Sequence, residues 1–172
     1  MFLLMVAFCI LLVTQFFDKN RKWVHYFSCL WGNHYARINP FWKLKYIGLE
    51  NADPAKTYIY IANHQSFADI MILYGIFKPY KWVSKSSIAK IPFVGHNMYL
   101  NQYVLLEREN LSSIKQMMKD CQNWLERGAS ILLFPEGTSL RRISVKKFLQ
   151  YDSSRHHIFK TFIIACFFTN RY

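Results

Sequence analysis

The segment Asn63-His64-Gln65-Ser66-Phe67-Ala68-Asp69 sets an imidazole five residues ahead of a carboxylate. In one regular helix two such side chains would stand about 140° apart and could not touch. With His64 in a turn and Asp69 in the first helical turn, the carboxylate can fold back onto the ring. Asp69 then fixes the tautomer and leaves the other ring nitrogen free to take a proton near neutral pH. That is general-base chemistry. The same residues carry a plainer reading, because Ser66-Phe67-Ala68-Asp69 is also a capping box with Ser66 as N-cap and Asp69 at N3. Capping accounts for Ser66 and Asp69 but not for a polar His64 between two apolar runs.

Those runs are the elements that must position the pair. Tyr58 to Ala62 is apolar, β-branched and aromatic, and reads as a buried strand; Ile70 to Phe77 reads as an apolar helix. Further along, Lys81 to Ser84 reads as a short strand. Ser84 to Lys90 reads as a short helix stopped by Ile91-Pro92, and Tyr103 to Leu106 as a strand ending at Glu107-Arg108. Leu111 to Arg127 is the clearest helix. Leu111, Ile114, Met117, Met118, Cys121, Trp124 and Leu125 share one face, Asn110 is its N-cap and Gly128 its C-terminal stop. Ser130 to Phe134 is a second buried strand, delivering Pro135-Glu136-Gly137-Thr138. Trp42 to Leu49 alternates and reads as a first, partly exposed strand. Strands alternating with helices make an α/β domain. Three strands end in polar residues: His64 with Asp69, Arg108, and Glu136 to Thr138. If neighbouring strands run parallel these ends meet at one edge, where such sheets place ligands.

Ahead of this domain, Met1 to Phe17 carries no charge and Asp18-Lys19-Asn20-Arg21-Lys22 follows at once. Seventeen residues would span about 26 Å, the short edge of a membrane crossing. The basic cluster lies after the apolar run, which argues against a signal peptide and keeps the following chain cytoplasmic. A buried core helix is the alternative. Trp23, Tyr26, Phe27, Leu30, Trp31 and His34 recur near helical spacing, suiting a helix at a headgroup interface or one packed on the domain. Residues 1–40 are therefore expected to form a membrane-associated helical hairpin, with the catalytic domain on the cytoplasmic face.

The two blocks flanking the middle of the chain resemble a known family. Asn63 to Asp69 matches the NHxxxxD block of the glycerolipid acyltransferases, and Phe134 to Thr138 matches their FPEGT block. Tyr103 to Arg108 resembles the block between, and Val83 to Gly95 the linking run. The resemblance is nearest to bacterial-type 1-acyl-sn-glycerol-3-phosphate acyltransferases and covers roughly residues 42 to 138. It implies a mixed α/β sheet flanked by helices, and transfer of a fatty acyl group to the sn-2 hydroxyl of lysophosphatidic acid, forming phosphatidic acid. Acyl-CoA or acyl-carrier protein would be the donor, with no cofactor and no metal. His64 would be the base and Asp69 its orienting partner. Arg108 would grip the phosphate, and Glu136, Gly137 and Thr138 would shape the acceptor site. Lys85 is a secondary candidate for phosphate or CoA contact. The alternatives are a different lysophospholipid acceptor or an inactive membrane-associated remnant.

After Thr138 the chain departs from that pattern. Ser139 stands where the family carries Arg, and seven basic residues against one acid follow, ending in an aromatic tail. Residues 41–138 are thus expected to be the acyltransferase domain, C-terminally incomplete, and 139–172 a divergent basic and aromatic tail. Composition sets the remaining bounds. The formal charge of +12 with 18% aromatic residues points to an anionic partner. The basic residues are scattered and no nucleic-acid motif appears, which disfavours nucleic acid. Cys9, Cys29, Cys121 and Cys166 are too far apart for a zinc site and read as buried, inert thiols.

Overall fold

The computed structural model describes residues 2–14, 16–38, 40, 44–64, 66–107, 110–134 and the backbone of 160–164. Five strands form one sheet: β1 (Tyr58–Ala62), β2 (Tyr80–Lys85), β3 (Val104–Leu106), β4 (Ser130–Leu133) and β5 (Lys160–Ile164). Their spatial order is β3-β2-β4-β1-β5. Ile59 pairs with Ile131, Trp82 with Leu132, Val83 with Val104 and Tyr60 with Phe162, every ladder parallel. The mixed sheet expected from the sequence is therefore corrected to a parallel one among the described residues. The physical reason is connection length. Each described link between strands carries a helix or a helical turn, long enough to cross over and restart from the same edge. A strand at 160–164 was not expected, and it pairs with β1 along its whole length.

Two apolar layers flank the sheet. On one face Tyr58, Tyr60, Tyr80, Trp82 and Leu132 pack with α3 (Phe67–Tyr74) and Met98 of α4 (Val94–Leu100). On the other, Ile59, Val83, Val104, Ile131 and Leu133 meet Met117, Cys121 and Leu125 of α5 (Leu111–Glu126). Alternate residues of each strand serve alternate faces, as a fully covered parallel sheet requires. The capping of α5 is as expected, Asn110 Oδ1 accepting from the Ser112 N–H at 3.0 Å.

The N-terminal segment forms α1 (Phe2–Thr14) and α2 (Lys22–Ile38), joined by a turn. At 13 residues α1 reaches only about 20 Å, against a hydrocarbon core of about 30 Å. Among the described residues no helix is long and apolar enough to cross a membrane. The reading of Met1 to Phe17 as a crossing is corrected accordingly, because the turn at Phe16–Phe17 ends the helix early. Residues 44–49 are also not a strand: 44–47 lack regular structure and Leu49–Asn51 is a 3-10 turn.

Helix α2 is not a surface stripe on its inner side. Val24, His25, Ser28, Cys29 and Gly32 are buried, and a Cβ on Gly32 would come within 2.6 Å of Tyr74. His25 is the anchor. Its Nε2–H donates to the Lys78 carbonyl at 3.1 Å, so its Nδ1 accepts from the Tyr103 hydroxyl at 2.9 Å. Burial holds this imidazole neutral, with its pKa pushed down to about 3. Lys81 is a second buried base. Its ammonium donates to the Asn101 carbonyl at 2.6 Å and lies 4.4 Å from the Trp124 ring, with desolvation lowering its pKa to about 7. Of the cysteines, Cys29 and Cys121 are buried but Cys9 is exposed, because α1 buries only Ala7 and Thr14. Cys166 lies outside the described residues.

Candidate active site

Because the ladders are parallel, the C-terminal ends of the strands share one edge. There β1 runs out at Ala62 and the chain turns through Asn63 and His64 into α3. Ser66 sits in extended conformation (φ −149°, ψ 165°) and caps the helix. Its backbone N–H donates to Asp69 Oδ2 at 2.8 Å, while the Asp69 N–H returns to the Ser66 carbonyl at 3.1 Å. The same Oδ2 stands 3.3 Å from His64 Nδ1. The capping contact and the imidazole contact are therefore one structure: the carboxylate that closes the helix end also holds the ring. A carboxylate only accepts, so Nδ1 carries the proton and Nε2 keeps its lone pair. Exposure separates their tasks, the His64 side chain being 30% accessible and that of Asp69 4%.

Phe134, the residue after β4, stacks on the His64 ring with centroids 4.3 Å apart and planes 18° from parallel. Trp82 backs Phe134 at 5.4 Å. These rings line a cavity of about 200 Å³, together with Phe67, Met71, Tyr74, Tyr103 and Lys85. Lys85, at the end of β2, is thus brought to the same opening as His64. A wider cleft of about 460 Å³ adjoins it, sharing Trp31, Phe67, Met71, Val94 and Asn97, and reaching Leu3 and Leu4 of α1. The walls of both are predominantly apolar, which suits a hydrocarbon chain leading away from a polar reaction centre.

Arg108, Glu136, Gly137 and Thr138 lie outside the described residues, although β3 and β4 end at this edge, at Leu106 and Leu133. Among the described residues no group of three or more His, Cys, Asp or Glu side chains could hold a metal. The sequence reading missed Phe134 and Trp82 as site residues. Phe134 had a signal, standing directly before Pro135-Glu136-Gly137. Trp82 had only its place two residues before Ser84-Lys85.

The acyltransferase family model matches residues 43–163. A 1-acyl-sn-glycerol-3-phosphate acyltransferase of Chlamydomonas reinhardtii is 40% identical over 124 residues, covering 71% of this chain and 37% of the relative. An enzyme of that name from Escherichia coli K12 is 33% identical over 131 residues, covering 73% of this chain and 51% of the relative. The crystal structure of the 1-acyl-sn-glycerophosphate acyltransferase PlsC from Thermotoga maritima superposes with a TM-score of 0.52 at 21% identity. It covers 80% of this chain and 61% of that one, a likeness of fold. The chain spans between about a third and a half of the length of these curated relatives. With a family match over most of its length and the His64–Asp69 pair at the strand ends, the chain belongs to the acyltransferase family.

Proposed function

We propose that this site transfers a fatty acyl group from a thioester, on acyl-CoA or acyl-carrier protein, to the sn-2 hydroxyl of lysophosphatidic acid. The product is phosphatidic acid. The observation that carries the reading is the His64 Nδ1–Asp69 Oδ2 pair, with a free Nε2 at the mouth of an apolar cavity. Nε2 takes the proton of the acceptor hydroxyl as its oxygen attacks the thioester carbonyl. The tetrahedral intermediate collapses, the C–S bond breaks, and the imidazolium returns the proton to the departing thiolate. Asp69 stabilises the imidazolium throughout. The substrate supplies the nucleophilic oxygen, so no covalent enzyme intermediate forms, and the reaction so written needs no cofactor. Arg108 grips the acceptor phosphate bidentately, Glu136 to Thr138 shape the acceptor site, and Lys85 supplies a cation for phosphate or CoA. The names of the relatives support this choice of acceptor.

The apolar face of the hairpin supports peripheral seating on a membrane rather than a crossing. Phe2, Met5, Phe8 and Val13 of α1 are all exposed, as are Phe16 and Phe17 in the turn. Such a face laid in the headgroup boundary brings the cleft beside Leu3 and Leu4 to the lipid. Incorporation of a labelled acyl group into lysophosphatidic acid tests the function directly, with other lysophospholipids as competitors. The expected result is transfer that falls by about 10²- to 10⁴-fold in His64→Ala. Equal inactivity of both proteins would overturn it.

A further inference from the structure

At the opposite end of the sheet, where β1, β2 and β4 begin, lies a further concavity that the proposed acyl transfer does not use. It measures about 220 Å³ and is lined by Lys22, Lys56, Lys78, Tyr26, Asp53 and Phe77, among others. Lys22 comes from the first turn of α2, Lys56 from the turn before β1 and Lys78 from the approach to β2, so three separate segments bring a lysine to the lining of one cleft. Asp53 is the carboxylate among the lining residues, and it pairs with Lys56 at 3.1 Å. Lys78 donates to the Ala52 carbonyl at 3.3 Å, a neutral partner. Lys81 also borders the cleft, but its ammonium is directed to the Asn101 carbonyl. Among the described residues, three cations against one anion around a concave surface favour an anion.

The rim says which kind. Trp23, next to Lys22, is exposed and packs edge-to-face on Tyr26 at 6.5 Å. Phe77, on the far wall, is exposed too, held at φ +48° in the left-handed region that a phenylalanine enters only at a cost. Phe16 and Phe17, 83% and 69% exposed, lie in the chain between α1 and the cleft residues Asn20 and Lys22. A basic hollow with exposed aromatic residues beside it, a few residues along the chain from the exposed apolar side chains of α1, matches the boundary between lipid headgroups and acyl chains. We propose that this cleft is a phosphate site for an anionic phospholipid headgroup, with Lys22, Lys56 and Lys78 as its cations and Trp23 and Phe77 seated among the neighbouring lipids. The site is separate from His64 and acts in binding, not in transfer.

The test is co-sedimentation of the full chain with phosphatidylcholine vesicles, with and without phosphatidylglycerol, in the absence of any acyl donor. Lys22→Glu with Lys78→Glu is compared with Lys115→Glu and Lys119→Glu, an equal charge change on the exposed side of α5 across the sheet. Each cleft lysine is worth about fivefold at an anionic surface, so the cleft pair is expected to lose about 25-fold or more. The α5 pair, held away from the surface, is expected to lose less than about fivefold because salt screens distant charges. Lys22→Gln with Lys56→Gln provides a milder pair should the reversal impair folding, and is expected to lose affinity in the same order. Equal losses from cleft and α5 pairs overturn the proposal in favour of diffuse attraction. Inorganic phosphate that binds the cleft without any preference of the protein for phosphatidylglycerol overturns it in favour of a soluble anion. Binding is read with His64→Ala as well, so failure of the acyl-transfer reading and failure of this one are distinguishable.

Discussion

His64 is placed by two neighbours of different kinds. Asp69 sets the tautomer through Oδ2, and Phe134 sets the plane of the ring by stacking at 4.3 Å. The two contributions separate by substitution. Asp69→Asn keeps an acceptor for the Ser66 N–H but loses the charge that stabilises the imidazolium. Its turnover number is expected to fall on the order of 10³-fold or more, while stability falls by no more than about 1 kcal/mol. Steady-state kinetics beside a denaturant titration checks both. Phe134→Leu keeps apolar volume and removes the flat face. Turnover is expected to fall roughly ten- to a hundredfold through misplacement of the imidazole, with a loss of about 1 kcal/mol in stability. An unchanged turnover number would show that Asp69 alone suffices to hold the ring.

Among the elements, α2 shows how the N-terminal segment is tied to the sheet and α4 how tightly its neighbours pack. The His25–Tyr103 hydrogen bond links α2 to a residue that itself lines the cavity. Because burial lowers the His25 pKa from 6.5 to about 3, the unfolded chain binds the proton first as pH falls. Stability from this group is therefore complete above about pH 6.5 and declines toward pH 3, by about 1.4 kcal/mol per unit. His25→Gln removes that slope. Between pH 6.5 and 5 the difference in unfolding free energy between the two proteins is expected to narrow by about 2 kcal/mol. Urea titrations at the two values measure it, and parallel curves would refute a neutral buried imidazole. In α4 the constraint is steric. A Cβ on Gly95 would strike the carbonyl oxygen and carbon of Ala89, which are backbone and cannot swing aside. Gly95→Ala is expected to cost about 1–3 kcal/mol, seen as a lowered denaturation midpoint.

For the molecule as a whole, the apolar residues are divided between an interior and a one-sided exterior. The two layers of core hold the sheet, while α1 turns most of its apolar side chains outward. A surface of that kind reads as an interaction face. Phe16→Ser with Phe17→Ser removes two exposed rings that are not part of either core. The thermal midpoint is expected to stay in place, and partitioning onto neutral vesicles to weaken by about tenfold or more. A drop in midpoint with unchanged partitioning would show that the rings serve the fold.

What the amino-acid sequence determined by itself is local. The apolar runs that became β1, β2 and β4, the amphipathic α5 with its Asn110 cap, and the His64–Ser66–Asp69 turn are each set by side chains a few residues apart, whose periodicity and hydrogen bonding need no distant partner. Tertiary structure decided the rest. Strand direction follows from how each connection crosses the sheet, so the parallel arrangement replaces the mixed one. The pairing of 160–164 with β1, the stacking of Phe134 on His64 across seventy positions of chain, and the burial of His25 against Tyr103 all depend on long-range closure. Hydrophobic periodicity shows that a residue will be buried, but only packing selects the neighbour it is buried against.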